Sequence, residues 1–186
     1  MTRLPPQAVV RSSSAGNCAK HGIRRHIVPV IKILFICHGN ICRSAAAEVV
    51  LRQMISENLI EKEITVSSAA TTREEIGNDI YPSMKKALLH KNYTLCTHAA
   101  RQTTRTDYSS WDFIIGMDEE NLWDLSRIYG GDPEGKLSLL MDWAGQKGRE
   151  IEDPWYTRNF DRVLGQIEEG CEGIIRFLQN RRNGAK

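Results

Sequence analysis

Ile33 to Cys37 is the longest uninterrupted apolar stretch of the chain, and with Ile31-Lys32 before it forms a seven-residue run rich in β-branched side chains. A run of this length without polar alternation suits a strand buried on both faces of a parallel sheet. The loop Cys37-His38-Gly39-Asn40-Ile41-Cys42-Arg43-Ser44 follows at once. Helical spacing then runs from Arg43 to about Asn58, with Ala47, Val50, Leu51, Met54 and Ile55 on one face. Strand, tight loop and helix open a βαβ unit.

The rest of the chain continues that alternation. Ile64–Ser67 reads as a second strand and Ser83–His90 as a short helix after Pro82. Trp111–Met117 reads as a third strand, and Glu119–Tyr129 as a helix ended by Gly130-Gly131. Leu137–Met141 reads as a fourth strand. Phe160, Val163, Leu164, Ile167, Cys171, Ile174, Ile175 and Leu178 then repeat at helical spacing. The pattern predicts an α/β fold, a doubly wound four-stranded parallel sheet with helices on both faces and a phosphate-binding loop after strand one. Ligands of such sheets sit at the carboxyl ends of strands, where Cys37 lies.

Residues 1–27 are different. They show no strand or helix periodicity and contain Leu4-Pro5-Pro6 and Ser12-Ser13-Ser14. They are expected to be a disordered extension, with residues 28–182 as a single domain. Their basic, acid-free character also fits a transit peptide, and an upstream-extended start is a third reading. The first thirty residues hold five basic groups, so the remainder is −3 out of a total of +2. That balance offers no nucleic-acid stripe, and no apolar run is long enough to span a membrane. Five irregularly spaced cysteines without a Cys-x2-Cys pair point to a reducing, cytoplasmic setting rather than a disulfide scaffold or zinc site. No metal or cofactor is called for.

The loop has the chemistry of an oxyanion site. Backbone N–H groups at a helix N-terminus bind phosphate, and Gly39 and Asn40 tolerate the positive φ of a curled loop. Arg43 can grip two phosphate oxygens, while the same positive field favours a Cys37 thiolate as nucleophile. Ser44 can donate a hydrogen bond to that sulfur. Loss of a phenolate needs a proton donor, and Glu150-Ile151-Glu152-Asp153-Pro154-Trp155-Tyr156 supplies candidates, although by its own residues the segment reads first as a plain Asp-Pro turn before the last helix. Asp153, next to the constrained Pro154, is preferred over Glu152, and Trp155 and Tyr156 can wall an aromatic pocket.

Cys-x-Gly-Asn-Ile-Cys-Arg-Ser after a first strand, followed by Ala47-Glu48, resembles the low-molecular-weight protein-tyrosine phosphatases, in their bacterial form. Ala45 stands where that family usually has Pro. The resemblance covers about residues 31–180 and implies hydrolysis of phosphotyrosine in protein substrates through a cysteinyl-phosphate. It implies Cys37, Arg43 and Asp153 as the catalytic set, and His38, Gly39, Asn40, Ile41 and Cys42 as the remaining phosphate-binding loop. His98, in Thr97-His98-Ala99-Ala100-Arg101-Gln102, matches the histidine that holds the loop Asn. Asp118 matches a position at the end of strand three. Glu74 falls where animal members place an aromatic on the substrate cleft, so the wall would be Trp155, Tyr156 and Glu74. Cys42 matches a cysteine that can form a reversible disulfide with the nucleophile; a small apolar filler is the equal alternative.

Four rivals share parts of this pattern. Thioredoxin-coupled arsenate reductases need further redox cysteines, and Cys96 stands alone. Protein-arginine phosphatases carry Thr where Ile41 lies. Cysteine-phosphorylated transport carriers, like silent phosphopeptide-binding modules, have no need of both Arg43 and Asp153.

Overall fold

The computed structural model describes residues 30–184, so the extension expected at 1–27 lies outside the described residues. Four parallel strands form one sheet: β1 (Ile31–Cys37), β2 (Ile64–Ala70), β3 (Phe113–Gly116) and β4 (Leu137–Leu139), in the order β2-β1-β3-β4. The chain steps from β1 outward to β2 and then crosses to β3 on β1's other side. That reversal opens a crevice beyond the carboxyl ends of β1 and β3.

Every side chain from Ile33 to Cys37 is buried, because helices cover both faces of β1. Ile33, Phe35 and Cys37 face α1 (Arg43–Glu57) and α7 (Phe160–Gly184), in a core that also takes in α2 (Pro82–His90). Leu34 and Ile36 face the opposite way, packing with Ile114, Leu125 and Tyr129 beneath α4 (Glu119–Tyr129). Ala45, Ala46 and Ala47 are buried and have no bulk, which suits the closely packed turn that starts α1 beneath the loop. All eight apolar positions counted along the last helix are buried, and the helix runs on to Gly184.

Four strand ends differ from the sequence expectation. β2 runs past Ser67 to Ala70, its ladder with β1 continuing to Cys37, and β3 ends at Gly116, one residue short of Met117. β3 starts at Phe113 rather than Trp111, because Trp111 closes a short helix, α3 (Asp107–Ser110). β4 stops at Leu139 instead of Met141: Asp142 reaches back to the Leu139 amide at 3.2 Å and starts α5 (Leu140–Trp143). A single helical turn, α6 (Pro154–Thr157), follows Asp153, whose carboxylate caps it by accepting from the Trp155 amide at 2.9 Å.

Candidate active site

The loop between β1 and α1 is held in shape from outside. The Cys37 and His38 carbonyls accept from the Thr71 and Thr72 amides, and the Ile41 carbonyl accepts from the Tyr81 amide at 2.8 Å. With its carbonyls turned outward, the loop leaves the amides of His38, Gly39, Ile41, Cys42 and Arg43 without an acceptor among the described residues. Orphan donors at the start of a 15-residue helix make a positive, anion-seeking end.

Asn40 is the pivot of that shape. It is fully buried with φ at 58°, a left-handed conformation that Asn adopts more readily than most residues. Its side-chain amide donates to Ser44 Oγ (3.0 Å) and Ser68 Oγ (2.8 Å), and its Oδ1 accepts from the Arg101 amide (3.2 Å). Its carbonyl meets His98 Nε2 at 2.7 Å. Ser68 in turn donates to Glu48, and Arg101 is held by Asp107. Asn40→Ala is expected to lower stability by about 2–4 kcal/mol, from two or three lost hydrogen bonds plus the poorer tolerance of alanine for positive φ. Asn40→Gly relieves the strain but not the bonds, so it should be about 1 kcal/mol milder in urea unfolding. Equal losses in both would mean that φ contributes nothing.

Cys37 lies at the floor of the loop, 3 % exposed. Its sulfur accepts from the Asn40 amide at 3.3 Å and sits 3.0 Å from Ser44 Oγ. Ser44 Oγ also accepts from the Asn40 side-chain amide and lies 3.3 Å from the Ala69 carbonyl, so its proton has two acceptors within reach, that carbonyl and the nearer sulfur. Burial, together with the neighbouring Cys37 charge, pushes the Cys42 thiol up to about 12. Cys42 is therefore a protonated thiol at neutral pH.

Arg43 is 3 % exposed and its guanidinium reaches three partners. Nη1 donates to Asp118 (2.5 Å) and to the Ile151 carbonyl (3.1 Å), and Nη2 donates to Asp153 (2.6 Å). Burial would lower its pKa, but the charges of Cys37, Asp153 and Asp118 outweigh burial and raise it. Asp118 is itself fixed as the cap of α4, accepting from the Asn121 amide at 2.7 Å. Nε has no acceptor among the described residues.

These groups line a cleft of about 310 Å³, with Cys37, His38, Gly39, Ile41, Cys42, Arg43, Asp118 and Asp153 inside it and Glu74, Trp155 and Tyr156 around its mouth. The family model for low molecular weight phosphotyrosine protein phosphatases matches residues 32–183, the sheet and the cleft together. The chain belongs to this family.

Similarity to individual members extends over most of the chain. It is 37 % identical over 151 residues to the low molecular weight phosphotyrosine protein phosphatase of Gallus gallus, covering 78 % of this chain and 94 % of that one. It is 32 % identical to the low molecular weight protein-tyrosine-phosphatase YfkJ of Bacillus subtilis, covering 81 % and 97 %. The crystal structure of that protein superposes with a TM-score of 0.78 over 82 % of this chain and 96 % of its own, at 31 % identity.

Among family positions, His98 and Asp118 both touch the loop, one at the Asn40 carbonyl and one at Arg43. Glu152 lies near Arg162 and Thr157 and does not line the cleft, so of the two candidates it is Asp153 that enters it and meets Arg43. Glu74 stands on the rim, paired with His38 at 3.1 Å. Trp155 is 47 % exposed, its inner edge against Tyr81, and Tyr156 is 84 % exposed. Sequence reading passed over Ser68, Tyr81, Glu75 and Glu120. The first two are common residue types without spacing to betray them, and the two glutamates read as ordinary surface charges.

Proposed function

We propose that this protein hydrolyses phosphotyrosine in protein substrates, with Cys37 as nucleophile, Arg43 and the loop amides as the phosphate cradle, and Asp153 as general acid and then base. One observation carries the reading: a thiol, five amides without acceptors, a buried arginine and a carboxylate line the same narrow cleft.

The reaction runs in two steps. The phosphate enters with its oxygens on the amides of His38, Gly39, Ile41, Cys42 and Arg43 and on Arg43 Nε and Nη2; Nη2 exchanges Asp153 for a phosphate oxygen, and the freed Asp153 carboxylate takes up a proton from solvent. Nη1 stays on Asp118 and Ile151, so the fork does not rotate. Cys37 Sγ attacks phosphorus in line with the tyrosine oxygen, the P–O bond breaks, and Asp153 gives its proton to the departing phenolate. Ser44 Oγ stabilises the sulfur as thiolate before attack and as leaving group after it. Asp153, now a carboxylate, takes a proton from water as that water attacks the cysteinyl-phosphate. Inorganic phosphate leaves and the thiolate is restored. The cradle stabilises the equatorial oxygens in both steps, and the reaction needs no metal. A reducing, cytoplasmic setting suits a thiolate nucleophile of this kind.

The test compares phosphotyrosine, phosphoserine and phosphoarginine in one peptide frame. Phosphotyrosine should exceed the others in kcat/KM by about 10²-fold or more, since a flat aryl ring can pack against Trp155 at the cleft mouth. A higher rate on phosphoarginine would overturn the reading in favour of the sister activity.

A further inference from the structure

A second depression, about 850 Å³, begins where the cleft ends. Ile41 and Glu75 belong to both, so the two form one continuous surface. From there the depression runs over Ile80, Tyr81 and Pro82 to Leu89 on α2, with Lys86 and His90 at its far end. Leu89 is 57 % exposed, a large apolar side chain left open to solvent beside an apolar floor. Lys86 makes no ion pair among the described residues, whereas its neighbour Lys85 is taken by Asp79.

This surface is built rigidly onto the phosphate loop. The Ile41 carbonyl is bonded to the Tyr81 amide, and the Gly77 amide and Asn78 carbonyl are both bonded to Ala100. Gly39 lies so close to Glu75 that a β-carbon there would come within 3.1 Å of the Glu75 side chain. A ligand in the groove therefore stands in fixed register with one in the cleft.

We propose that this groove binds the segment of the substrate protein flanking its phosphotyrosine, seating an apolar side chain on Ile80 and Leu89 and an acidic one at Lys86 and His90. The proposal rests on the phosphotyrosine reading above. A phosphotyrosine buried to the loop leaves its own backbone at the cleft mouth, and the chain must leave across a bordering wall. Trp155 and Tyr156 wall part of the cleft, whereas Ile41 and Glu75 carry its surface on into the groove, past the Tyr81 ring against which Trp155 packs. The polarity of the groove supplies the rest: the near end is acidic and apolar, from Glu75, Ile41 and Tyr81, and the far end is cationic. A flank carrying an apolar residue and then Glu or Asp complements it, and a flank carrying Lys at the outer position meets Lys86 head-on.

The test separates the groove from the chemistry. Wild type, Lys86→Glu and Leu89→Asp are assayed on p-nitrophenyl phosphate and on phosphotyrosine peptides whose flank, on either side, carries Leu followed by Glu, Leu followed by Lys, or Ala throughout. Both variants lie on the exposed face of α2, outside the cleft. Wild type should favour Leu-Glu over Ala peptides by about tenfold in kcat/KM. Leu89→Asp should erase that preference, and Lys86→Glu should reverse the order of Glu and Lys peptides, with p-nitrophenyl phosphate turnover unchanged within about twofold. Equal rates on all peptides in wild type, or variants that leave the peptide order intact, would overturn the groove assignment while leaving the phosphatase reading standing. Absence of hydrolysis of every substrate by wild type would instead sink the phosphatase reading itself.

Discussion

Cys37→Ser is expected to reduce aryl phosphate turnover by about 10⁴-fold or more while leaving phosphate binding largely intact. A serine hydroxyl is close in size to the thiol, and the partners of the sulfur, the Asn40 amide and Ser44 Oγ, would serve an oxygen equally well. What is lost is nucleophilicity: at neutral pH the hydroxyl stays protonated, and no group among its neighbours is a base strong enough to ionise it. Titration with inorganic phosphate, followed by tryptophan fluorescence from Trp155, should still report binding. Retention of more than about 1 % of wild-type turnover would place the nucleophile elsewhere. The other thiol of the cleft is a poor candidate for that role, because Cys42 holds its proton up to about 12.

Asp153→Ala should produce a loss that depends on the leaving group. For phosphotyrosine peptides, whose phenolate is a strong base, kcat should fall by about 10²–10³-fold. For p-nitrophenyl phosphate, whose phenolate leaves readily without a proton, the fall in the first step should be distinctly smaller. A second effect follows from the ion pair: Arg43 Nη2 is occupied by Asp153 at 2.6 Å before any ligand enters. Removing the carboxylate spares a phosphate that exchange, so the inhibition constant of inorganic phosphate should drop by a few-fold, about the worth of a partly exposed ion pair. Equal losses on both substrates would argue that Asp153 positions Arg43 rather than moving a proton. A larger loss in Glu152→Ala would transfer the acid role to a residue that points at Arg162.

The elements legible in the sequence were those specified by continuous patterns. β1 shows itself as an unbroken apolar run and α7 as a long helical repeat, and both emerged nearly as read. The segment around Asp153-Pro154 reads from its own residues as a plain turn, and only the family resemblance pointed to Asp153 as the acid. The end of β4 was not legible, since Leu140 and Met141 are as apolar as a strand requires and only the backward reach of Asp142 turns the chain. Nor was the support around Asn40. Its partners Ser68 and Arg101 lie 28 and 61 residues away, and no local spacing announces a hydrogen bond made only when β2 and the following segment come to rest beside the loop. The groove was hidden for the same reason, being shared among the loop, the segment at 75–82 and one face of α2.

The hydrogen bonds that shape the loop have a bearing on how the chain acquires its activity. They reach from Asn40 to Ser68, His98 and Arg101, and from Arg43 to Asp118, Ile151 and Asp153, spans of 28 to 110 residues. Contacts of that separation are slow to form, because loop-closure entropy is spent before they return any stability. The site is therefore only partly local: a chain with β1 and α1 docked would hold Cys37, Asn40 and Ser44 together without the distant partners that fix the loop. Competence is acquired in the last steps of assembly, and partly folded or truncated chains would carry Cys37 without the loop geometry that makes it selective.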